Sequence, residues 1–305
     1  MPTKLKNRDI ISINELTKEE MLSVLKFAKE LKSKPQPKLL DGKVMGSCFF
    51  EPSTRTRLSF ETAMQRLGGR VVGFADPAVT SAKKGETLYD SMRIIGQYVD
   101  VVAMRHPLEG AARRAAEATD KPILNGGDGA NQHPTQTLLD LFTIEECQGK
   151  LNNLTITMIG DLKYGRTVHS LAQAMIHFNP TFYFVAPDFL QMPDYILSEL
   201  KKAGITYHLK DTIGEVINKS DILYLTRIQK ERFSDISEYD KAKDLYIMDT
   251  PLLTKVKSNL RILHPLPRVN ELKEAIDSTP YAYYFQQAEN DLYVRQALLA
   301  MVLGY

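Results

Sequence analysis

The chain has 305 residues, 43% hydrophobic and 25% charged, which fits two ordinary globular domains. Lys+Arg of 39 against Asp+Glu of 37 leaves a formal charge of +2, too balanced to support nucleic-acid or membrane binding, so any anion site must be a local concentration of positive charge. Cys48 and Cys147 form neither a metal-ligand spacing nor a disulfide framework, no apolar run reaches membrane-spanning length, and the polar N-terminus with Asp9 shows no signal peptide; a cytoplasmic protein is expected.

In chain order, Thr17-Lys18-Glu19-Glu20 forms a capping box opening an amphipathic helix with Met21, Leu25, Ala28 and Leu31 on one face, punctuated by Pro35 and Pro37. A strand over Lys43–Phe50 then runs into Ser53-Thr54-Arg55-Thr56-Arg57. Leu58, Phe60, Ala63, Met64 and Leu67 follow at helical spacing, with Gly68-Gly69 as the stop. Ser53 therefore stands near the N-cap, where backbone N–H groups lack intrahelical partners and the dipole is positive. Three hydroxyls and a guanidinium at that point make a phosphate site. An ordinary cap with solvated arginines is the alternative, but arginine there opposes the dipole, so helix stability does not account for Arg55. A Walker loop is excluded, because its glycines and Gly-Lys-Ser/Thr ending are absent.

Further strands are expected at Arg70–Ala75, Asp100–Met104 and Pro122–Asn125, separated by helical patterns, and a long helix runs from Pro134 to Glu146 before Gly149. A second alternating series has strands at Leu154–Gly160, Thr181–Ala186, Ile205–Leu209, Ile222–Leu225, Leu245–Met248 and Leu260–Leu263. Apolar strands alternating with helices argue for an α/β protein of two doubly wound domains, each a parallel β-sheet flanked by helices, joined near residues 134–150. The closing helix, Asn290 to Leu303, carries Leu292, Val294, Leu298, Leu299 and Val302 and can pack on either half.

Ligands of open α/β sheets bind beyond the C-terminal strand ends, and five polar loops fall there. They are Arg105-His106-Pro107, the stretch from Gly126 to Gln136, Asp161 to Arg166, Thr226 to Gln229, and His264-Pro265-Leu266-Pro267-Arg268. His133 and Gln136, three apart at a helix start behind Pro134, suit polarising a carbonyl and receiving an amide, or else form a surface cap. Arg105 can bind an anion or pair with an acid; Arg166 and Arg227 suit bidentate carboxylate recognition or structural ion pairs. Gly160-Asp161 to Gly165 lacks the glycine spacing of a dinucleotide fingerprint. No nucleophile–base arrangement stands out, so the remaining chemistry is a reaction between small anions, catalysed by positioning and oxyanion stabilisation.

These residues resemble the aspartate/ornithine carbamoyltransferase family over essentially the whole chain, closest to its aspartate branch. The segments that carry the resemblance are Phe49 to Arg57, Lys83-Lys84-Gly85-Glu86-Thr87, Met104 to Pro107, His133 to Thr137, Gly160 to Arg166, Thr226 to Arg232 and His264 to Arg268. The resemblance implies a carbamoyl-phosphate domain over 1–134 plus 288–305, an aspartate domain over 135–287, and a final helix returning to the first. It assigns the phosphate to Ser53, Thr54, Arg55, Thr56 and Arg105; the carbamoyl oxygen to Thr56, Arg105 and His133; and the carbamoyl amino group to Gln136 and the carbonyls of Leu266 and Pro267. Arg166, Arg227 and Gln229 hold aspartate, while Lys84 and a nearby serine, aligned with Ser81 or replaced by Thr80, come from a neighbouring subunit of a homotrimer with shared sites. Glu51, Arg232 and Glu238 match ion-pairing residues of a closed state, and Glu109 to Arg114 resembles a surface that meets a separate zinc-bearing regulatory chain in some members, or is simply a surface helix.

The implied reaction is attack by the neutral α-amine of aspartate on carbamoyl phosphate, giving N-carbamoyl-L-aspartate for pyrimidine synthesis without cofactor, metal or covalent intermediate. An ornithine-specific enzyme is the near rival. It typically carries a cysteine beside the leucine-proline pair, whereas His264 to Arg268 has none. A catalytically silent binding or assembly paralogue is the rival from another class, disfavoured by the presence of every matched polar residue.

Overall fold

The computed structural model describes residues 4–228, 239 and 245–305. Helix α1 (Lys18–Ser33) starts at the expected capping box: Thr17 accepts from the Glu20 amide, and the Glu20 carboxylate accepts from the Thr17 amide at 2.9 Å. The first sheet follows as β1 (Val44–Phe49), α2 (Thr54–Arg66), β2 (Arg70–Phe74), α3 (Leu88–Ile95), β3 (Val101–His106), α4 (Ala111–Ala116) and β4 (Ile123–Asp128). Each strand-to-strand step crosses over, so all pairings are parallel, in the order β2-β1-β3-β4. Helix α4 lies close to its core because three small side chains, Ala111, Ala112 and Ala115, are turned inward.

Helix α5 (Pro134–Gln148) leads to the second sheet: β5 (Thr155–Ile159), α6 (Arg166–Met175), β6 (Thr181–Val185), α7 (Asp194–Lys202), β7 (Thr206–Lys210), β8 (Ile222–Leu225) and β9 (Arg261–Leu263). It is also parallel, ordered β7-β6-β5-β8-β9. Its core includes Ile159, Val185, Leu223, Leu225, Met248 and Ile262. Burying each aliphatic side chain of this kind is worth about 1.5–3 kcal/mol. The expected strand Leu245–Met248 does not form: Met248 makes only an isolated bridge with Leu272, its amide donating to Glu271 O at 2.8 Å. Tyr246 and Met248 are apolar because they fill the core, so burial without a ladder produced the strand-like pattern.

The chain forms two compact units, Met1–Phe142 with Glu289–Tyr305, and Thr143–Ala288. The division falls inside α5 rather than at its start, because the first turns of that continuous helix belong to the first unit, where Lys32 Nζ lies 5.8 Å from the Phe142 ring centroid. The closing helix α8 (Tyr284–Val302) begins before Asn290, its first turns being disguised by Gln286, Gln287 and Glu289, and it returns to the first unit from Glu289 onward.

Both sheets reverse direction once. The chain steps from β1 to β2 on one side and places β3 on the other; likewise β5 leads to β6, and β8 lies on the opposite side. A crevice therefore opens at the C-terminal ends of β1 and β3 in the first unit, and of β5 and β8 in the second.

Candidate active site

At the first crevice, the Phe50 amide donates to Arg105 O at 2.8 Å, which keeps the chain beyond β1 against the end of β3. Ser53 is the N-cap of α2, in extended conformation, but its hydroxyl makes no capping bond. Thr54 is exposed, and Thr56 is buried in the first turn. Arg105 spends Nη1 on Gly126 O (3.2 Å) and Nη2 on Glu51 Oε1 (3.1 Å), while its buried Nε has no partner among the described residues. Arg55 keeps an exposed surface, yet partial loss of water pulls its pKa below the usual value; Asp291 opposes that shift and Arg105 adds to it. A guanidinium disfavoured by burial and by a neighbouring cation gains from an anion beside it.

Within β4, Asn125 donates to Ile11 O and to Asp128 Oδ1, both at 2.9 Å, and Asp128, its last residue, accepts from the Gln132 amide at 3.1 Å, so the approach to α5 is fixed. His133 is 4% exposed and caps α5, its Nδ1 accepting a long bond from the Gln136 amide at 3.4 Å. The capping alternative thus describes part of its role, but the ring is buried rather than a surface group. A neutral imidazole whose Nδ1 accepts carries its proton on Nε2. Gln136 donates through Nε2 to the buried Asp140 at 3.0 Å, which leaves its Oε1 as an acceptor. Asp140 was not singled out from sequence, although its i,i+4 spacing from Gln136 on a helix is a signal for such a pair.

Ser81–Lys84 form a short exposed turn. Thr80 caps it, its hydroxyl donating to Pro77 O at 2.7 Å and accepting from the Ala82 amide at 3.3 Å. The Ser81 hydroxyl and the Lys84 ammonium have no side-chain hydrogen bond or ion pair among the described residues.

In the second unit, Gly160 has φ +114, and a Cβ there would sit 2.2 Å from Thr226 O. Only glycine lets the end of β5 press against the end of β8, where the Thr226 amide donates to Ile159 O at 2.9 Å. Gly165 caps α6, and a Cβ on it would meet Asp161 O at 2.4 Å. Arg166 is the first residue of α6 and Arg227 directly follows Thr226, so both arginines stand at this crevice. Arg166, like Arg55, is a cation at a positive helix end, a placement that helix stability disfavours. Gln229, Arg232 and Glu238 lie outside the described residues.

After β9, the buried His264 accepts from the Leu266 amide at Nδ1 (2.8 Å) and donates through Nε2 to Glu271 Oε1 (2.8 Å). Burial is the largest influence and raises the Glu271 pKa, but the His264 bond and charge together with bonds from backbone amides outweigh it and hold the carboxyl below its ordinary range. Glu271 also accepts from the Val269 amide at 3.1 Å, so this pair pins the loop carrying Leu266 and Pro267. Sequence reasoning missed Glu271, which reads as one more solvated charge. The polar loops thus divide between the C-terminal edges of two sheets, and Glu51 is found on Arg105. Burial pushes the thiols of Cys48 and Cys147 up to about 12, which makes them inert packing groups. Among the described residues no cluster of His, Cys, Asp and Glu could hold a metal ion, and no helix is long and apolar enough to cross a membrane.

Residues 8–146 match the family described as aspartate/ornithine carbamoyltransferase, carbamoyl-P binding domain, and residues 152–302 match its Asp/Orn binding domain. The chain is 59% identical over 307 residues to an aspartate carbamoyltransferase catalytic subunit of Vibrio vulnificus, covering 100% of this chain and 99% of that one. It is 56% identical over 301 residues to the protein of the same name from Parabacteroides distasonis, covering 98% of each. Among solved structures, aspartate transcarbamoylase from Trypanosoma cruzi in complex with carbamoyl phosphate and aspartate is similar at TM-score 0.94 and 39% identity, covering 99% of this chain and 98% of that one. The catalytic subunit of M. jannaschii aspartate transcarbamoylase is similar at TM-score 0.90 and 45% identity, covering 97% and 98%.

Proposed function

The chain belongs to the aspartate/ornithine carbamoyltransferase family, and on that premise we propose that it transfers the carbamoyl group of carbamoyl phosphate to the α-amine of L-aspartate, in pyrimidine synthesis in the cytoplasm. The observation that carries this reading is the set of donors gathered at the β1/β3 crevice. Ser53 leaves its hydroxyl out of the cap it occupies, Arg105 keeps a buried Nε without a partner among the described residues, and Arg55 is a cation whose charged form is disfavoured mainly by burial, and further by Arg105, until an anion arrives. That set suits a phosphate dianion held by Ser53, Thr54, Arg55, Thr56 and Arg105.

The carbamoyl oxygen meets Thr56, Arg105 and the Nε2–H of His133. Its amino group is held by Gln136 Oε1, the acceptor that Asp140 leaves over, and by the carbonyls of Leu266 and Pro267. Arg166 and Arg227 at the second crevice, with Gln229, take the two carboxylates of aspartate. The same guanidiniums repel the cationic side chain of ornithine, and no cysteine accompanies Leu266-Pro267. The neutral amine attacks the carbonyl, negative charge grows on the oxygen facing His133, and the tetrahedral intermediate expels phosphate, which leaves with the amine's proton. Positioning and oxyanion stabilisation suffice for this chemistry.

The reading extends to a homotrimer in which Lys84 and Ser81 of one chain complete a neighbour's site. Their exposure and lack of side-chain partners among the described residues support this, and the capping duty of Thr80 favours Ser81 as the hydroxyl supplied. A separate regulatory chain meets the surface at Glu109 to Arg114, where Arg113 pairs with Glu15 and Arg114 covers the Tyr89 ring at 4.5 Å. Gel filtration with and without such a chain tests that partner. The reaction itself is tested by a colorimetric assay for carbamoyl-aspartate, with ornithine as the competing acceptor. Product with aspartate and none with ornithine is expected; no product with either overturns the assignment.

A further inference from the structure

Arg295 and Asp291, one turn apart on α8 in the first unit, form an ion pair at 2.8 Å in which Arg295 is fully buried and Asp291 nearly so. Burying such a pair removes hydration that its attraction often fails to repay, so the pair calls for a reason beyond stability. Its geometry supplies one. The contact to Asp291 falls outside hydrogen-bond geometry, and Arg295 Nε and Nη2 make no hydrogen bond among the described residues. The guanidinium is aimed instead at α2: it lies 4.5 Å from the Phe60 ring centroid, and Nη1 donates to Thr56 O at 3.4 Å and to Ser59 Oγ. Ser59 Oγ in turn donates to Arg55 O at 2.6 Å and approaches Thr56 O at 3.1 Å. The chain of contacts from Arg295 therefore ends on the backbone of the two residues assigned to the phosphate.

We propose that Arg295 is a positioning residue for the phosphate group: it locks the first turn of α2 through Ser59, with Asp291, 2.8 Å away, as the acid that keeps its guanidinium in place. This rests on the reading of Ser53 to Thr56 as the phosphate site. Both Arg295 and Arg55 pull on the Asp291 carboxyl, against burial that pushes its pKa up, and Arg105 acts on Arg295 as well as on Arg55. Arg295 escaped the sequence analysis because an arginine in an amphipathic helix ordinarily reads as part of the solvated face.

The test compares Arg295→Lys, Ser59→Ala and Arg55→Ala in the full chain. Inorganic phosphate binding is followed by calorimetry, KM is measured for each substrate, and thermal unfolding is recorded. Arg295→Lys keeps the charge but loses the planar fork; it should weaken phosphate binding and raise KM for carbamoyl phosphate about tenfold, with KM for aspartate changed less than about twofold. Ser59→Ala removes one neutral hydrogen-bond relay and should act in the same direction by about threefold, with its unfolding midpoint close to that of the unaltered chain. Should Arg295→Lys fail to fold, Ser59→Ala decides alone. Unchanged phosphate binding in folded variants overturns the proposal, as does an equal loss of both substrates, the mark of a merely structural role. Arg55→Ala separates the two levels. If it abolishes phosphate binding while the other variants do not, the positioning role alone is wrong. If Arg55→Ala also binds phosphate normally, the phosphate-site reading falls and the positioning role with it.

Discussion

The crevice of the first sheet is built from a helix N-terminus, hydroxyls, and guanidiniums with carboxylates on them: half-buried Glu51 on Arg105 and buried Asp291 on Arg295. The crevice of the second has the same topology but a sparser lining, with Arg166 opening α6 and Arg227 following β8 around the glycine contact of residue 160 with residue 226. On the proposed reading the difference follows from the ligands. A phosphate dianion presents three oxygens that want several converging donors, and the gathering of like charges this requires is balanced by acids. A carboxylate offers two oxygens in a plane and is matched by one guanidinium fork. One fold rule locates both crevices, and local electrostatics decides which anion each prefers.

Substitutions on either side should break this symmetry in different ways. Arg55→Ala should cut turnover most, by about 100-fold or more, with the unfolding midpoint retained, because one charged clamp is lost from a site that works by positioning. Steady-state kinetics on a folded variant with near-normal activity would remove the phosphate assignment. His133→Ala should lower kcat by about 100-fold while weakening carbamoyl phosphate binding much less, since a bond to the growing oxyanion matters mainly in the transition state. A raised KM with unchanged kcat would make it a ground-state contact.

Gly160→Ala tests the second crevice through its backbone. The added Cβ meets Thr226 O at 2.2 Å in a conformation that alanine disfavours, so a loss of about 1–3 kcal/mol is expected by urea unfolding. Stability equal to that of the unaltered chain would show that the β5 and β8 ends can part freely. The smallest effect concerns Asp221, far from both crevices. Burial raises its pKa, but bonds from the Thr155 amide at 2.8 Å, Lys257 and Asn259, each at 2.9 Å, outweigh burial and hold it below the usual carboxylate value. A depressed folded-state pKa gives stability that is complete above the unfolded value and lost as pH falls through the folded one. Asp221→Asn should therefore be less stable at pH 7 by about 1 kcal/mol or less, and the difference should shrink as pH falls below the ordinary carboxylate range. A constant difference across that range contradicts the linkage.

The alternation of apolar strands and helical patterns made both parallel sheets legible, because a strand buried on two faces leaves a continuous apolar run such as Leu223–Leu225. The same logic misread Leu245–Met248, since apolarity reports burial and not pairing. On the proposed reading, Ser53 to Thr56, Arg105, His133, Arg166 and Arg227 stood out in sequence because hydroxyls, arginines and a histidine gather at the C-terminal strand ends. Asp140, Glu271, Ser59, Asp291 and Arg295 did not. On the proposed reading each acts through another residue, and a polar side chain that orients a neighbour looks in sequence like one facing water. The order of contacts, Asp140 to Gln136 or Arg295 to Ser59 to Arg55, exists only in the folded chain.

The central claim is that the two crevices divide the substrates, and equilibrium dialysis of carbamoyl phosphate alone against Arg227→Ala and Arg55→Ala tests it most directly. The account predicts that Arg227→Ala binds carbamoyl phosphate within about twofold of the unaltered chain while its KM for aspartate rises about tenfold or more, and that Arg55→Ala loses carbamoyl phosphate binding. Comparable loss of carbamoyl phosphate in both variants would contradict the division.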